Sequence, residues 1–151
     1  MSPARLPHLP GTLIADDAIA GAPVSSIAGY PAEQIALTVP LHDDDGLHLA
    51  VVPASGRLSL AKARRALRSP ALRRATLEEA RAAFPCLVPS AIPPFGAPLG
   101  VPVVADRRLF TYNRIVCASG VEHRARLVDT GDLIAVGGAQ VADLCEARAG
   151  A

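Results

Sequence analysis

Two apolar runs separated by an acidic turn form the clearest pattern in the chain. Residues 35–41 and 47–52 consist mainly of Ile, Ala, Leu and Val, and Asp43-Asp44-Asp45-Gly46 lies between them. Such runs favour β-strands, and glycine adopts the positive φ of a tight turn at little cost. The pattern therefore predicts an antiparallel hairpin in which a strand from Ile35 to Leu41 pairs with one from Leu47 to Val52.

Two short amphipathic helices are predicted to follow the hairpin. Ser59 suits the N-cap of the first helix, whose apolar residues recur on one face at helical spacing, namely Leu60, Ala63, Ala66 and Leu67. Ser69-Pro70 ends this helix, because the residue before proline is disfavoured in helical conformation. Thr76 followed three positions later by Glu79 has the capping-box pattern and predicts a second helix that ends at about Ala83.

The flanking regions complete the prediction of a single α+β domain. Residues 1–23 are predicted to form an N-terminal extended segment, because prolines are frequent at its start. A helix is predicted over residues 24–30. After the hairpin and the two helices, strands are predicted at residues 101–105, 114–118 and 139–144, and a short helix at residues 130–136. Strands that alternate with short helices indicate a mixed, largely antiparallel β-sheet surrounded by short helices, occupying residues 24–151.

Composition narrows the class of protein. The chain has 151 residues, which suits one domain, and 50% of them are hydrophobic while only 3% are aromatic. The net charge of +1 provides no overall attraction for nucleic acid, so RNA binding requires a local basic patch. The three cysteines show no CxxC pair and the four histidines no ligand spacing, so no metal is predicted. Without a signal or membrane-spanning pattern, we expect a cytoplasmic protein.

Two loops are candidates for chemistry. Residues 89–96 contain three prolines and a glycine, and such a stiff loop can present backbone groups to a ligand; the alternative is a rigid crossover that covers the sheet. Ser119-Gly120 follows the strand predicted at residues 114–118, where backbone amides become free to meet a carbonyl or phosphate oxygen. An ordinary strand-ending turn is the alternative at this second position.

A basic cluster is the third candidate. Seven of the 15 lysines and arginines lie within 20 positions, at Lys62, Arg64, Arg65, Arg68, Arg73, Arg74 and Arg81. Arginine pairs with phosphate oxygens in a bidentate manner, so Lys62, Arg64, Arg65 and Arg68 are predicted to contact RNA phosphate. The alternative is that these residues form the solvated faces of the two helices.

The order of these motifs resembles the YbaK/ProX family of aminoacyl-tRNA editing domains. The resemblance spans residues 30–139 and rests on Ile35-Ala36-Leu37-Thr38, the acidic turn, Pro93-Pro94-Phe95-Gly96 and Ser119-Gly120. It implies a deacylase acting in trans, which hydrolyses the ester of a mischarged small amino acid on tRNA without a cofactor. The implied partners are aminoacyl-tRNA and, as a second candidate, an aminoacyl-tRNA synthetase; neither DNA nor a membrane is expected.

The resemblance also implies the substrate pocket, with two departures from the family pattern. The pocket residues are Leu37, Thr38, Ser90, Ala91, Pro93, Pro94, Gly96, Ser119 and Gly120. Leu37 stands where the family carries a catalytic lysine, and Ser90-Ala91 where it carries glycines. Leucine neither donates a hydrogen bond nor stabilises negative charge. A non-catalytic binding module that retains the pocket is therefore the alternative function, and a decayed gene product is a third.

Overall fold

The computed structural model describes residues 11–14, 29–85, 92–119 and 125–146. The strands within these ranges are β1 Thr12–Ile14, β2 Ala36–Asp43, β3 Gly46–Pro53, β4 Arg73–Arg74, β5 Val103–Asp106, β6 Arg114–Ala118, β7 Ala125–Asp129 and β8 Gln140–Ala142. The α-helices are α1 Leu60–Leu67, α2 Leu77–Ala83 and α3 Asp132–Ala135. Short 3-10 helices occur at Ala32–Gln34, Ala97–Leu99 and Arg107–Thr111.

β2 and β3 form the predicted hairpin, with Asp44 and Asp45 as its two-residue loop. Asp43 pairs with Gly46, whose φ of +121° lies in the region that favours glycine. One carboxylate oxygen of Asp43 accepts a hydrogen bond from the backbone N–H of Asp45 at 2.9 Å, which stabilises the turn. The hairpin prediction is confirmed, and both strands reach closer to the turn than predicted.

The strands are divided between two sheets that meet at the start of β2. The larger sheet has the order β4-β2-β3-β5-β8, with β5 parallel to β3 and β8 parallel to β5. The smaller sheet, β1-β7-β6, is antiparallel. A parallel bridge between Ile35 and Val116 joins them. The α+β class with a mixed, largely antiparallel arrangement is confirmed, although the sequence pattern did not show the division into two sheets.

Three strands of the described residues were not predicted, because their conformation depends on a partner. β4 consists of two exposed arginines, and β1 of three residues inside the predicted extended segment. β7 pairs with β6 along its whole length, from Arg114↔Asp129 to Ala118↔Ala125. The helix predicted for residues 24–30 lies outside the described residues, except for its end at Gly29, which has a φ of +87°.

α1 and α2 begin at the predicted caps. Ser59 Oγ accepts a hydrogen bond from the backbone N–H of Lys62 at 3.2 Å. The Thr76 hydroxyl accepts from the N–H of Glu79 at 3.1 Å, and the Glu79 carboxylate accepts from the N–H of Thr76 at 2.8 Å. This reciprocal pair is the predicted capping box. No helix within the described ranges is long and apolar enough to cross a membrane.

The two helices cover opposite faces of the larger sheet. Alternate side chains of a strand point to opposite faces, and Leu41 of β2 packs with Ala63 of α1 in one apolar cluster. Ala36 of β2 packs in a different cluster, together with Ala80 of α2. This arrangement separates the surface around α1 from the surface around α2, which matters for the basic residues that they carry.

Candidate functional site

Two of the predicted site segments lie side by side where the sheets meet. Ile35 and Val116 form the parallel bridge, and β2 and β6 are in contact. Both strands run in the same direction from the bridge and rise by about 3.3 Å per residue. Leu37 and Thr38 on β2 therefore lie next to the end of β6, where Ser119 follows.

Thr38 lies at a stretch of β2 whose outer edge is not paired with any described strand. In a two-residue hairpin the closing pair, here Asp43 and Gly46, is hydrogen-bonded, so alternate residues of β2 direct their backbone groups away from β3. Pro40 is one of these residues, since its carbonyl oxygen accepts a hydrogen bond from the N–H of Ala75 at 3.0 Å. Thr38 shares this orientation, and its N–H and C=O point to the open edge.

The Thr38 hydroxyl is buried and has no hydrogen-bond partner among the described residues. Such a group costs about 1–3 kcal/mol relative to a satisfied one. A hydroxyl both donates and accepts, so it suits a carbonyl oxygen, an amine or a water molecule of a bound ligand. The buried hydroxyl and the open backbone edge make Thr38 the best-placed polar group of the candidate site.

Leu37 points to the opposite face of β2 from Thr38, since neighbouring residues of a strand alternate between its two faces. Its side chain is half-buried and packs against two apolar clusters, one built around Ile35 and Val116 and the other around Leu41 and Val52. Leucine carries no charge and forms no hydrogen bond. Chemistry at this position therefore depends on backbone groups, hydroxyls or water.

Gly96 is required by close packing of the proline-rich loop. A Cβ at this position would overlap the carbonyl oxygen of Val101 and the side chain of Val103. The next residue, Ala97, donates its N–H to the carbonyl oxygen of Gly137 at 3.1 Å, which ties the loop to the end of α3. The glycine that matches the family pattern thus has a steric role in holding the loop.

The prolines of this loop are buried. Pro93 and Pro94 have little exposed surface, and Phe95 is fully buried in the cluster that also contains Ala36. The loop accordingly packs on the face of the sheet to which Ala36 points. The predicted contacts of Ser90 and Ala91 lie outside the described residues.

Ser119 is buried at the end of β6, with 2% of its surface exposed, and Gly120 lies outside the described residues. Cys117, two residues before Ser119, is also buried, and desolvation raises the pKa of its thiol to about 12. A thiol with such a pKa stays protonated near neutral pH and is a poor nucleophile. Cys117 is therefore a core residue.

Lys62 is engaged in a structural ion pair. Its Nζ lies 2.9 Å from Oδ2 of Asp143 and donates to the carbonyl oxygen of Cys145 at 2.7 Å. These contacts hold the ammonium group on the C-terminal segment. The pair joins positions 81 residues apart, so no local sequence signal could have shown it.

The remaining basic residues separate into three groups. Arg73 forms a bidentate pair with Glu79, at 2.7 and 2.9 Å, so its charge is locally compensated. Arg64, Arg65 and Arg68 line one depression of about 630 Å³ at the end of α1. The other arginines of the cluster are exposed elsewhere, Arg74 on β4 and Arg81 on α2.

The histidines near the hairpin turn lie on opposite faces of the sheet and form separate contacts. His48 Nε2 lies 3.0 Å from Oδ2 of Asp43, and His42 Nε2 lies 3.4 Å from Oε2 of Glu79. No cluster of His, Cys, Asp or Glu within the described ranges has a metal-binding arrangement.

Asp106 is fully buried and has a structural role. Its two carboxylate oxygens accept hydrogen bonds from the backbone N–H groups of Arg108 at 2.9 Å and of Leu144 at 2.8 Å. The first bond caps a 3-10 helix, and the second draws the chain after β8 into the core. β8 is consequently shorter than the strand predicted for residues 139–144.

The fold is that of an aminoacyl-tRNA editing domain. The model of the family described as "Aminoacyl-tRNA editing domain" matches residues 19–136, and the chain belongs to this family. A crystal structure described as a candidate trans-editing enzyme for prolyl tRNA synthetase is 32% identical, with a TM-score of 0.73. The match covers 82% of this chain and 77% of that one.

Two other solved structures share the fold. A scaffold protein from a study of computational epitope grafting is 27% identical over 83% of this chain and 79% of its own, with a TM-score of 0.69. A hypothetical protein is 23% identical over 91% of this chain and 93% of its own, with a TM-score of 0.77, which shows similarity of fold alone. None of the curated proteins is significantly similar to the chain.

Proposed function

We propose that the protein is a trans-editing deacylase that hydrolyses the ester between a wrong small amino acid and tRNA. Membership of the editing-domain family supports this reaction class, and the similarity to the candidate trans-editing enzyme supports action in trans. The observation that carries the proposal is the buried, unpartnered hydroxyl of Thr38 beside an open strand edge. The protein acts where charged tRNA is used, in the cytoplasm, and a synthetase is a second partner.

The reaction balances without a cofactor. Water adds to the carbonyl carbon of the ester, the ester C–O bond breaks, and the released ribose hydroxyl takes up the proton. The products are a free amino acid and uncharged tRNA. In the absence of a lysine at position 37, the attacking water is positioned by the neutral groups of the site or by a hydroxyl of the substrate itself.

Each residue at the junction has a role in this proposal. Thr38 orients the aminoacyl group through its hydroxyl and its outward backbone groups, while Leu37 closes the other face of β2 with an apolar side chain. Ser119-Gly120 and the loop that contains Ser90, Ala91, Pro93, Pro94 and Gly96 complete the pocket. Pro94 and Gly96 contribute by holding the loop rather than by presenting exposed surface.

A non-catalytic binding module is the second candidate function. The observation that favours it is the packing of Leu37 between two apolar clusters, at the position where the family carries its lysine. Such a module binds aminoacyl-tRNA through the same pocket and leaves the ester intact.

Deacylation of proline tRNA charged with alanine or cysteine tests both functions. The unmodified protein is compared with Leu37→Lys and with Leu37→Met, which keeps size and apolar character. Turnover by the unmodified protein and by Leu37→Met supports the deacylase. Turnover by Leu37→Lys alone supports the binding module, and no turnover by any of the three on a wider panel of charged tRNAs contradicts the deacylase.

A further inference from the structure

We infer that the depression at the end of α1 is a docking surface for the phosphate backbone of RNA. This inference rests on the proposed function, since it identifies how the body of the tRNA is held. The arginine depression, as we call it, is lined by Ala61, Arg64, Arg65, Arg68, Ser69 and Pro70 and has a volume of about 630 Å³. Three guanidinium groups around one concavity match the charge and bidentate geometry of phosphate oxygens.

The arginine depression borders two carboxylates, Asp143 in the neighbouring depression that Arg65 also lines and Asp43, which is hydrogen-bonded to Ser69. The lining of the arginine depression itself contains no carboxylate. Arg64 uses Nε to donate to the carbonyl oxygen of Leu72 at 2.8 Å, which positions its guanidinium group. Among the described residues, the side chains of Arg65 and Arg68 have no hydrogen-bond or ion-pair partner. The charges of Lys62 and Arg73, in contrast to those of Arg65 and Arg68, are each paired with a carboxylate.

Arg68 provides an independent observation. With φ of 52° and ψ of 44° it occupies the left-handed region, and it is the one non-glycine residue with positive φ in the described ranges. Glycine is usual at such a helix end, because a side chain there costs free energy. Arg64 and Arg65 already place positive charge in the last turn of α1, where it complements the helix dipole. A strained third arginine therefore points to a ligand.

The position of the arginine depression suits a long substrate. Ser69 donates to the carboxylate of Asp43 at 2.7 Å, so the depression adjoins the hairpin turn. Asp43 lies six residues beyond Leu37 on β2, a distance of about 20 Å at ~3.3 Å per residue. This distance is on the order of several nucleotide steps. The depression lies on the α1 face of the larger sheet and the Thr38 side chain on the α2 face, so a tRNA that reaches both passes around the open edge of β2.

Binding of uncharged tRNA over a series of salt concentrations tests the docking surface. Arg65→Ala and Arg68→Gly are each expected to lower the affinity several-fold and to reduce the slope of log K against log salt by about 1. Arg81→Ala is the matched control, because it removes one charge from α2 on the opposite face of the sheet. It is expected to leave affinity and slope unchanged. The melting temperature of Arg68→Gly is expected to equal or exceed that of the unmodified protein, since strain is relieved.

Equal losses of tRNA affinity in all three variants would show general charge attraction and would overturn the docking surface. Unchanged affinity in both Arg65→Ala and Arg68→Gly would overturn it as well. If Arg68→Gly fails to fold, Arg65→Ala decides. Deacylation by the same variants separates this inference from the proposed function. Binding through the arginine depression without hydrolysis contradicts the deacylase alone, whereas hydrolysis with unaltered binding in the variants contradicts the docking surface alone.

Discussion

The Ser69 hydroxyl donates a hydrogen bond to Oδ2 of Asp43 at 2.7 Å and so joins the end of α1 to the hairpin turn. His48 Nε2 lies 3.0 Å from the same oxygen, and the N–H of Asp45 donates to the other one. The hydrogen bond from Ser69 is the largest cause that lowers the pKa of Asp43 from 3.8 to about 2. This contact also fixes the arginine depression relative to β2.

Asp43 is expected to make the free energy of unfolding depend on pH in the acid range. Because its pKa is lower in the folded protein than in the unfolded chain, its ionised form stabilises the fold. This contribution is complete above about pH 4 and is lost as the pH falls towards 2. Ser69→Ala is expected to lower the free energy of unfolding by on the order of 1–2 kcal/mol at pH 7. Urea unfolding of both proteins at pH 7 and pH 3 measures this, and a loss as large at pH 3 as at pH 7 would contradict the linkage.

Substitution of Thr38 is expected to affect stability and activity in opposite directions. Thr38→Val replaces a buried, unpartnered hydroxyl by a methyl group, which should leave the free energy of unfolding unchanged or raise it by about 1 kcal/mol. The same change should reduce deacylation, or the affinity for aminoacyl-tRNA, by about tenfold, since a hydrogen bond to the substrate is lost. Thr38→Ser keeps the hydroxyl and is the control. Full activity in Thr38→Val would exclude the assigned role.

Gly96→Ala is expected to destabilise the protein only through steric overlap of the added Cβ with its neighbours. Gly96 has an ordinary φ of −76°, so only the contacts of the added Cβ with Val101 and Val103 are unfavourable. Overpacking of this kind costs about 1–3 kcal/mol. Gly131→Ala is a suitable control, because a Cβ there meets no atom within 4 Å, and its effect should stay within about 0.5 kcal/mol. Equal melting temperatures for the two variants would be inconsistent with the packing around Gly96.

The Lys62–Asp143 pair is expected to contribute to stability and not to RNA binding. Both side chains are partly exposed, so a double-mutant cycle with Lys62→Gln and Asp143→Asn should give a coupling energy of on the order of 0.5–1 kcal/mol. Salt should weaken this coupling. The salt slope of tRNA binding should not change in Lys62→Gln. A slope reduced as much as in Arg68→Gly would place Lys62 on the docking surface instead.

Local sequence signals predicted the local structure well. Ser59 and Thr76 cap the helices that they were expected to cap, and the hairpin forms around the acidic turn, because these features depend on residues within a few positions of each other. β7 was missed for the opposite reason, since its pairing with β6 and β1 defines it. Pro40 was an available signal for the open edge of β2, because proline within a strand is confined to positions without a ladder hydrogen bond.

The sequence by itself determined the hairpin, the two capped helices and the α+β class, since each depends on residue type and spacing, while the departure at Leu37 follows from the resemblance to the editing-domain family. Only the tertiary structure decided that the Thr38 hydroxyl is buried without a partner. It also decided that Lys62 is bound by Asp143 while Arg64, Arg65 and Arg68 share one depression. The physical reason is that burial and ion pairing depend on residues far apart in the chain, which come together only when the sheets close.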